Sequence, residues 1–374
     1  MNRITATFLC LMLCLAGTSL HATAFAAEQT SVSAPSAPSP ATPAQVVALK
    51  TPVVRPFLAP VTTRTVTVPA SIDATGKTEV SAALNAFLAT VPNGSIISFP
   101  VGAIYKLHES IYLADRHNLV FEGNGTTLHV DATAAANSAY TSPFMVGDDL
   151  AHPNTDIVIH DFILVGNSST PGIYIPDSES QANLQIYATT RIEIYDITGS
   201  AAPGDFVHLE QVNGAWIHDC HVLTAGRNGV SVISGADILV ERVALDVVGY
   251  CTFDIEPNGS GDACSRIAFR NNTAGTYGSG NLFLGVEGGH TGAAIDEITV
   301  DGNLITGGSL RVNCDNGGTA GTRMTRIAFT NNKGTAAAGP LLYFGHIDGL
   351  TVTGNIQPLR SGVFTSITNC TGAR

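Results

Sequence analysis

Charge is scarce in this 374-residue chain. Asp, Glu, Lys and Arg make up 13% of it, well below the roughly 25% of an average globular domain. Basic residues are scarcer than acidic ones, 18 against 30, for a formal net charge of −12. A nucleic-acid-binding surface needs a basic face, so no nucleic-acid partner is expected, and a strongly basic groove for polyanions is disfavoured. Beyond the first residues there is no apolar run long enough for a membrane span, so no membrane insertion is expected. No Gly-x-Ser-x-Gly element, P-loop or dinucleotide fingerprint occurs.

What is abundant is apolar and small. Apolar residues reach 44%, and there are 38 glycines, a composition suited to many short strands and tight turns. At the N-terminus, Arg3, the apolar run Phe8 to Leu15 and Ala24-Phe25-Ala26 form a secretory signal over residues 1–26, and bacterial-type export to an extracellular or periplasmic location is expected. Residues 27–70 are rich in Pro, Ala, Ser and Thr and read as an extended linker. Residues 71–374 read as one domain. Near its start, Val80, Ala83, Leu84, Phe87 and Leu88 recur at helical spacing, with Thr78 placed to cap the helix and Pro92-Asn-Gly94 to stop it. Export permits disulfides. Cys220, Cys251, Cys264, Cys314 and Cys370 remain after the signal, and Cys251 with Cys264, which bracket one loop, is the favoured pair; the alternative is that most are small buried hydrophobes.

Nine segments then share one pattern: two apolar residues flank one exposed position and are followed by a small or polar turn. Aligned on the second apolar residue, they centre on Phe121, Ile159, Ile194, Ile217, Val240, Phe269, Val300, Phe329 and Val352. The gaps by subtraction are 38, 35, 23, 23, 29, 31, 29 and 23, variable but bounded, as expected for one coil per repeat with loops inserted at fixed corners. Asn124, Asn272, Asn303, Asn332 and Asn355 end five of the motifs, which predicts a column of asparagines at one corner. Coils of 23 residues are too short for propeller blades, and the leucine density of leucine-rich repeats is absent. The pattern predicts an all-β chain: a right-handed, single-stranded parallel β-helix, a solenoid with a short N-terminal capping helix over its open end.

Asp73-Ala-Thr-Gly-Lys-Thr-Glu79, Pro92-Asn-Gly-Ser-Ile-Ile-Ser-Phe-Pro100, Leu119-Val-Phe-Glu-Gly-Asn-Gly125, Arg227-Asn-Gly-Val-Ser-Val-Ile-Ser234 and Phe253-Asp-Ile-Glu-Pro-Asn258 resemble segments of secreted pectate-lyase-superfamily β-helix proteins. The resemblance covers the chain from Asp73 onward. It implies the fold and a carbohydrate-active class spanning lyases, hydrolases, epimerases and phage depolymerases. It does not select among these reactions.

A second series of strands lies upstream of the aligned one in each coil. Alternation there places Leu, Val and Ile inward and puts Gln185, Tyr187, His208, Glu210, Ser231, Asp254, Glu256, Glu287, Arg311 and Asn313 outward, with Asp205 and Arg227 just before two of the strands. Asp254, Glu256, Glu210 and Glu287 are the candidate catalytic acids. His208, Arg227, Arg311, Asn313 and Tyr187 are candidates for binding substrate. Glu210 and Glu256 should stand about 9–10 Å apart, two coils away, and Asp254 and Glu256 about 6–7 Å apart on one strand; both spacings admit a glycosidase pair. A lyase would use Asp254, Glu256 and Glu287 differently, to hold Ca²⁺ against a uronate, with Arg227 or Arg311 neutralising charge or taking the proton at C5. No other cofactor is expected, and His218, Cys220 and His221 do not converge as a zinc site. The expectation is a monomer that cleaves glycosidic bonds of a polysaccharide, with hydrolysis favoured over a calcium-assisted lyase. A non-catalytic glycan-binding surface protein would display aromatic platforms, and this face offers Tyr187 and Phe283.

Overall fold

The computed structural model describes residues 62–131, 141–176, 178, 180–277, 282–287, 292–307, 310–315, 317, 323–335, 342–356 and 365–372. The signal segment, the linker up to residue 61 and several corner loops lie outside the described residues.

Every strand pairing among them is parallel, and each strand pairs with the equivalent strand one coil away. The aligned motifs stack in the register read from sequence: Phe121 on Ile159, Ile159 on Ile194, Ile194 on Ile217, Ile217 on Val240, and onward through Phe269, Val300 and Phe329 to Val352. The column extends back through Ile97 to Val66. Pairing therefore begins at the strand Arg64–Thr67, inside the stretch expected to be linker. The architecture is a right-handed single-stranded parallel β-helix. Its interior is a continuous apolar rod that includes Phe121, Phe253, Phe269 and Phe329, with Phe253 and Phe269 stacked at 4.3 Å.

Two bends in each coil explain the polar composition of the corners. At one, Asp156, Arg191, Asp237, Arg266, Glu297 and Arg326 all have φ between 54° and 59°. At the other, Asp161, Asp196, Asp219, Arg242, Asn271 and Asn331 are left-handed too. Turns of this kind favour Asn, Asp and Gly; Gly214 and Gly349 take the first bend in their coils, with φ of 84° and 82°.

The asparagine column forms for four of its five expected members. The Asn272 backbone N–H and Nδ2 both donate to Asn303 Oδ1 at 3.0 Å, Asn303 does the same to Asn332 Oδ1, and Asn332 to Asn355 Oδ1. Each buried amide thus satisfies the coil beside it. Asn124 does not join. The register shifts after Glu122, leaving Asn124 left-handed at φ 53° and donating back to the Phe99 carbonyl.

The helix spans Ser81–Thr90, two residues later than the periodicity suggested. Thr78 does not cap it, because it belongs to the strand Thr75–Glu79; the Glu79 carboxylate accepts from the Ser81 N–H instead. Leu84 and Leu88 are buried over the first coil, whereas Ala83 faces solvent. The Arg116 guanidinium donates to the Leu88 and Val91 carbonyls and closes the helix C-terminus.

All five described cysteines are free thiols, so the expected Cys251–Cys264 bridge is absent. Cys251 stacks between Asn228 and Leu282 in one column of strands, and Cys264 pairs with Gly235 in another. Both are buried, as small hydrophobes would be.

Candidate active site

The second strand series also holds its register, and it organises the outward side chains into two rows. The first row is Gln185, His208, Ser231, Asp254, Gly285, Asn313 and Tyr343, one per coil. The second begins with Tyr187 beside Glu210 and ends with Glu287 beside Asp315. Between them, the Ile233 N–H donates to the Leu209 carbonyl and the Glu256 N–H to the Val232 carbonyl. Glu256 therefore stands in register two coils from Glu210, with Ile233 between. In the coil after Asn313, Leu342 and Phe344 point inward and Tyr343 outward.

In the central coils these outward positions are not solvated as alternation implied. Asp254 is only 6% exposed, and Ser231 and Asp205 are fully buried. Arg227 is the reason. Its guanidinium lies under the row, with Nη2 2.7 Å from Glu256 Oε2 and 3.8 Å from Asp254 Oδ2, and Nη1 3.5 Å from Asp205 Oδ2. Asn228 Nδ2 donates to Ser231 Oγ at 2.9 Å and to Asp254 Oδ2 at 3.0 Å. Asp205 Oδ1 accepts from the Asn228 N–H at 3.0 Å. His208 lies between two acids, Nδ1 3.5 Å from Asp205 Oδ2 and Nε2 3.7 Å from Glu210 Oε2.

This packing separates the protonation behaviour of neighbouring groups. Burial, and then the Glu256 charge, push the Asp254 carboxyl well above the usual carboxylate range, and Arg227 offsets this only in part. Glu287, open to solvent on its outer side, is raised by lost hydration between coils and by Glu256. Burial works against the His208 imidazolium, but Asp205 and Glu210 outweigh it and raise its pKa to about 9. The Tyr187 hydroxyl is raised by burial and by Glu210.

In the next coil the first row carries no side chain against Asp254. The row position there is Gly285, and a Cβ on it would stand 3.1 Å from Asp254 Oδ1. Glycine leaves that flank of the carboxyl uncovered.

Of the residues singled out from sequence, Tyr187, His208, Glu210, Arg227, Asp254, Glu256 and Glu287 lie on this one face. Asn313 continues the first row a coil beyond Gly285. Arg311 precedes the strand Val312–Asp315, and its carbonyl accepts from the Phe283 and Leu284 N–H groups; among the described residues it forms no ion pair with the four acids. Phe283 is no surface platform: it is fully buried against Phe253 and Phe329. Asp205 and Asn228 are integral to the cluster and were not among the candidate site residues. The only sequence signal for either was adjacency to Arg227 and His208.

The residues do not fit a calcium site. Arg227 occupies the space between Asp205, Asp254 and Glu256 that a shared cation would need, and Asp254 favours its protonated form. Among the described residues no group of three or more His, Cys, Asp or Glu is arranged to hold a metal ion. His218 is engaged by Glu193 and Asp219 while Cys220 points into the core, so that trio does not converge either. No described helix is long and apolar enough to cross a membrane.

No protein-family model and no curated protein matches this chain. Solved structures do. The chain is similar to a hyperthermoactive exopolygalacturonase from Thermotoga maritima, with 12% identity and a TM-score of 0.52 over 81% of this chain and 91% of that one. It is also similar to the family 28 exopolygalacturonase of Yersinia enterocolitica, with 11% identity and a TM-score of 0.44 over 83% and 78%. A mutant tailspike protein of the E. coli bacteriophage HK620 matches at 12% identity and a TM-score of 0.49, over 81% of this chain and 54% of that one. At these identities the likeness to the Thermotoga enzyme establishes the shared fold.

Proposed function

We propose that the chain is an exported enzyme that hydrolyses glycosidic bonds of a polysaccharide laid across the face of Glu210, Asp254, Glu256 and Glu287. One observation carries this reading: Asp254 is a buried carboxyl whose pKa burial and the Glu256 charge push well above the usual carboxylate range, flanked in the next coil by Gly285, which has no side chain to cover it. A general acid needs that state at neutral pH, and two carboxyls held in different states are the signature of acid–base work.

Asp254 donates its proton to the leaving glycosidic oxygen as the C–O bond breaks. Glu287, one coil on and two positions along, stands about 8 Å from it by strand and coil spacing, inside the roughly 6.5–9.5 Å of inverting glycosidases. Ionised, it takes a proton from the water whose oxygen bonds to the anomeric carbon. Solvent then restores both carboxyls. The Glu256–Arg227 pair orients substrate hydroxyls, and His208, held protonated, with Tyr187 and Asn313 lines the path of the chain. The similarity of fold to the Thermotoga maritima exopolygalacturonase agrees with a glycan substrate.

The test is incubation of the purified mature protein with neutral and uronic-acid polysaccharides, with and without EDTA. New reducing ends without an ultraviolet-absorbing unsaturated product, unaffected by EDTA, are expected. An unsaturated product, or loss of activity on chelation, would replace hydrolysis with lyase chemistry.

A further inference from the structure

Residues 166–176 leave the strand Asn154–Val165 and run along the solenoid instead of around it. The Gly166 and Ser168 N–H groups donate to the Ser200 and Ala201 carbonyls of the next coil. Gly172, at φ +77°, packs so closely that a Cβ there would lie 2.7 Å from Val247 and 3.7 Å from Thr224. A Cβ on Gly249 would meet the Tyr174 backbone nitrogen at 2.8 Å. The segment then returns, with Ser178 Oγ donating to the Pro203 carbonyl and the Gly204 N–H to the Gln181 carbonyl. The result is a ridge crossing three coils, beside the corner where the strands Val207–His218, Asn228–Val232 and Cys251–Ile255 begin.

The ridge is apolar where solvation would favour polar residues. Ile173 is 59% and Ile175 40% exposed, and Tyr250, against the ridge, is 42% exposed. The Tyr174 and Tyr250 rings lie 5.6 Å apart at 39°. Tyr250 is fixed to the cluster: its N–H donates to the Arg227 carbonyl at 2.7 Å, and it precedes Asp254 by four residues. Its hydroxyl is raised by burial and then by Glu287, with Asp254 and Glu256 also contributing, so it lies within the field of the acids.

We propose that Tyr174 and Tyr250 form a sugar-stacking subsite beside Asp254 that takes one pyranose ring of the polysaccharide, with Ile173 and Ile175 extending its apolar edge. A pyranose presents a C–H face to an aromatic ring and hydroxyls at its rim, so it matches an aromatic pair bordered by acids and Arg227. Continuity with the cluster selects this occupant over a protein partner for the exposed patch. The inference rests on the glycan-cleaving reading and deepens it.

Its test is affinity measured by calorimetry in full-length D254N, using oligosaccharides of polygalacturonate, alginate and a neutral glucan as probes, alongside KM in the otherwise wild-type enzyme. Tyr250→Ala and Tyr174→Ala should each weaken binding about tenfold, which corresponds to about 1.4 kcal/mol. Tyr250→Phe should bind as before, and Tyr250→Leu, which keeps apolar bulk for folding, should weaken binding like Ala. Unchanged affinity and KM in both Ala variants, with cleavage intact, would overturn the subsite and leave the hydrolase reading standing. Loss of affinity in a protein that cleaves no probe would uphold the subsite and overturn hydrolysis. Binding of no probe, or an oligomer that dissociates when the tyrosines are removed, would overturn the subsite.

Discussion

Two faces of the solenoid use the same residue types at the same coil spacing and reach opposite electrostatic states. On the face built over the Phe121–Val352 column, arginines pair with carboxylates a coil away at the surface. Arg242 forks onto Asp219 with both distances 2.8 Å, and Arg266 onto Asp237 at 2.7 and 2.9 Å. These groups are solvated, and the Arg242 hydrogen bonds hold Asp219 down at about 2. On the other face a single guanidinium, Arg227, contacts the buried Asp205 and Asp254 and the half-buried Glu256. There burial, and then the Glu256 charge, push the Asp254 carboxyl well above the usual carboxylate range. Burial, not residue identity, separates the surface charge ladder from the enclosed acid cluster.

The sharpest way to break the contrast is D254N. Loss of the general acid should lower kcat by about a thousandfold, read as reducing ends released. Stability should move the other way. With its pKa raised in the native state, Asp254 holds a proton that the unfolded chain gives up above pH 3.8, so the native state loses stability as pH rises past that value. The amide carries no such penalty, and D254N should melt at a higher temperature at neutral pH, a trade between stability and function. The wild-type pH–rate profile should be bell-shaped, its acid limb set by Glu287 and its alkaline limb by Asp254, and E287Q should lose the acid limb.

Removing the shared cation comes next. Arg227→Met strands three acids around a buried site and should destabilise by about 3–5 kcal/mol, measured by urea unfolding. Asn303→Ala in the asparagine column takes the acceptor from the Asn272 backbone N–H and the Asn303 donor from the Phe269 carbonyl and should cost about 1–3 kcal/mol. His208 contributes stability through a raised pKa. That contribution is full below pH 6.5 and lost as pH rises through about 9; the melting difference between wild type and His208→Gln should shrink across that window. The smallest effect belongs to the paired face. Arg266→Ala should change stability by less than about 0.5 kcal/mol and leave cleavage untouched.

The register was readable because alternation in a strand is a strict period of two, and one slip would turn Phe121, Phe269 and Phe329 outward. That made the face of Glu210, Asp254, Glu256 and Glu287 legible as well. Alternation distinguishes inside from outside but does not say what covers an outward side chain. The burial of Asp254 depends on Arg227 and Asn228 arriving from the preceding coil, which no spacing encodes. The ridge at 166–176 escaped notice because it abandons the coil period altogether, and with it went Tyr174 and Tyr250. Cys251 and Cys264 sat close in sequence but belong to different strand columns, a separation that only the corner geometry decides.

The asparagine column couples neighbours in one direction. Each amide oxygen from Asn303 to Asn355 accepts two donors from the coil before it. A coil that frays at the C-terminal end therefore removes an acceptor that its predecessor cannot replace, and the loss passes inward one coil at a time. In a nearest-neighbour description of the solenoid, each asparagine adds a term that ties its coil to the one before it. Unfolding from that end should therefore pass coil by coil from Asn355 through Asn332 and Asn303 to Asn272.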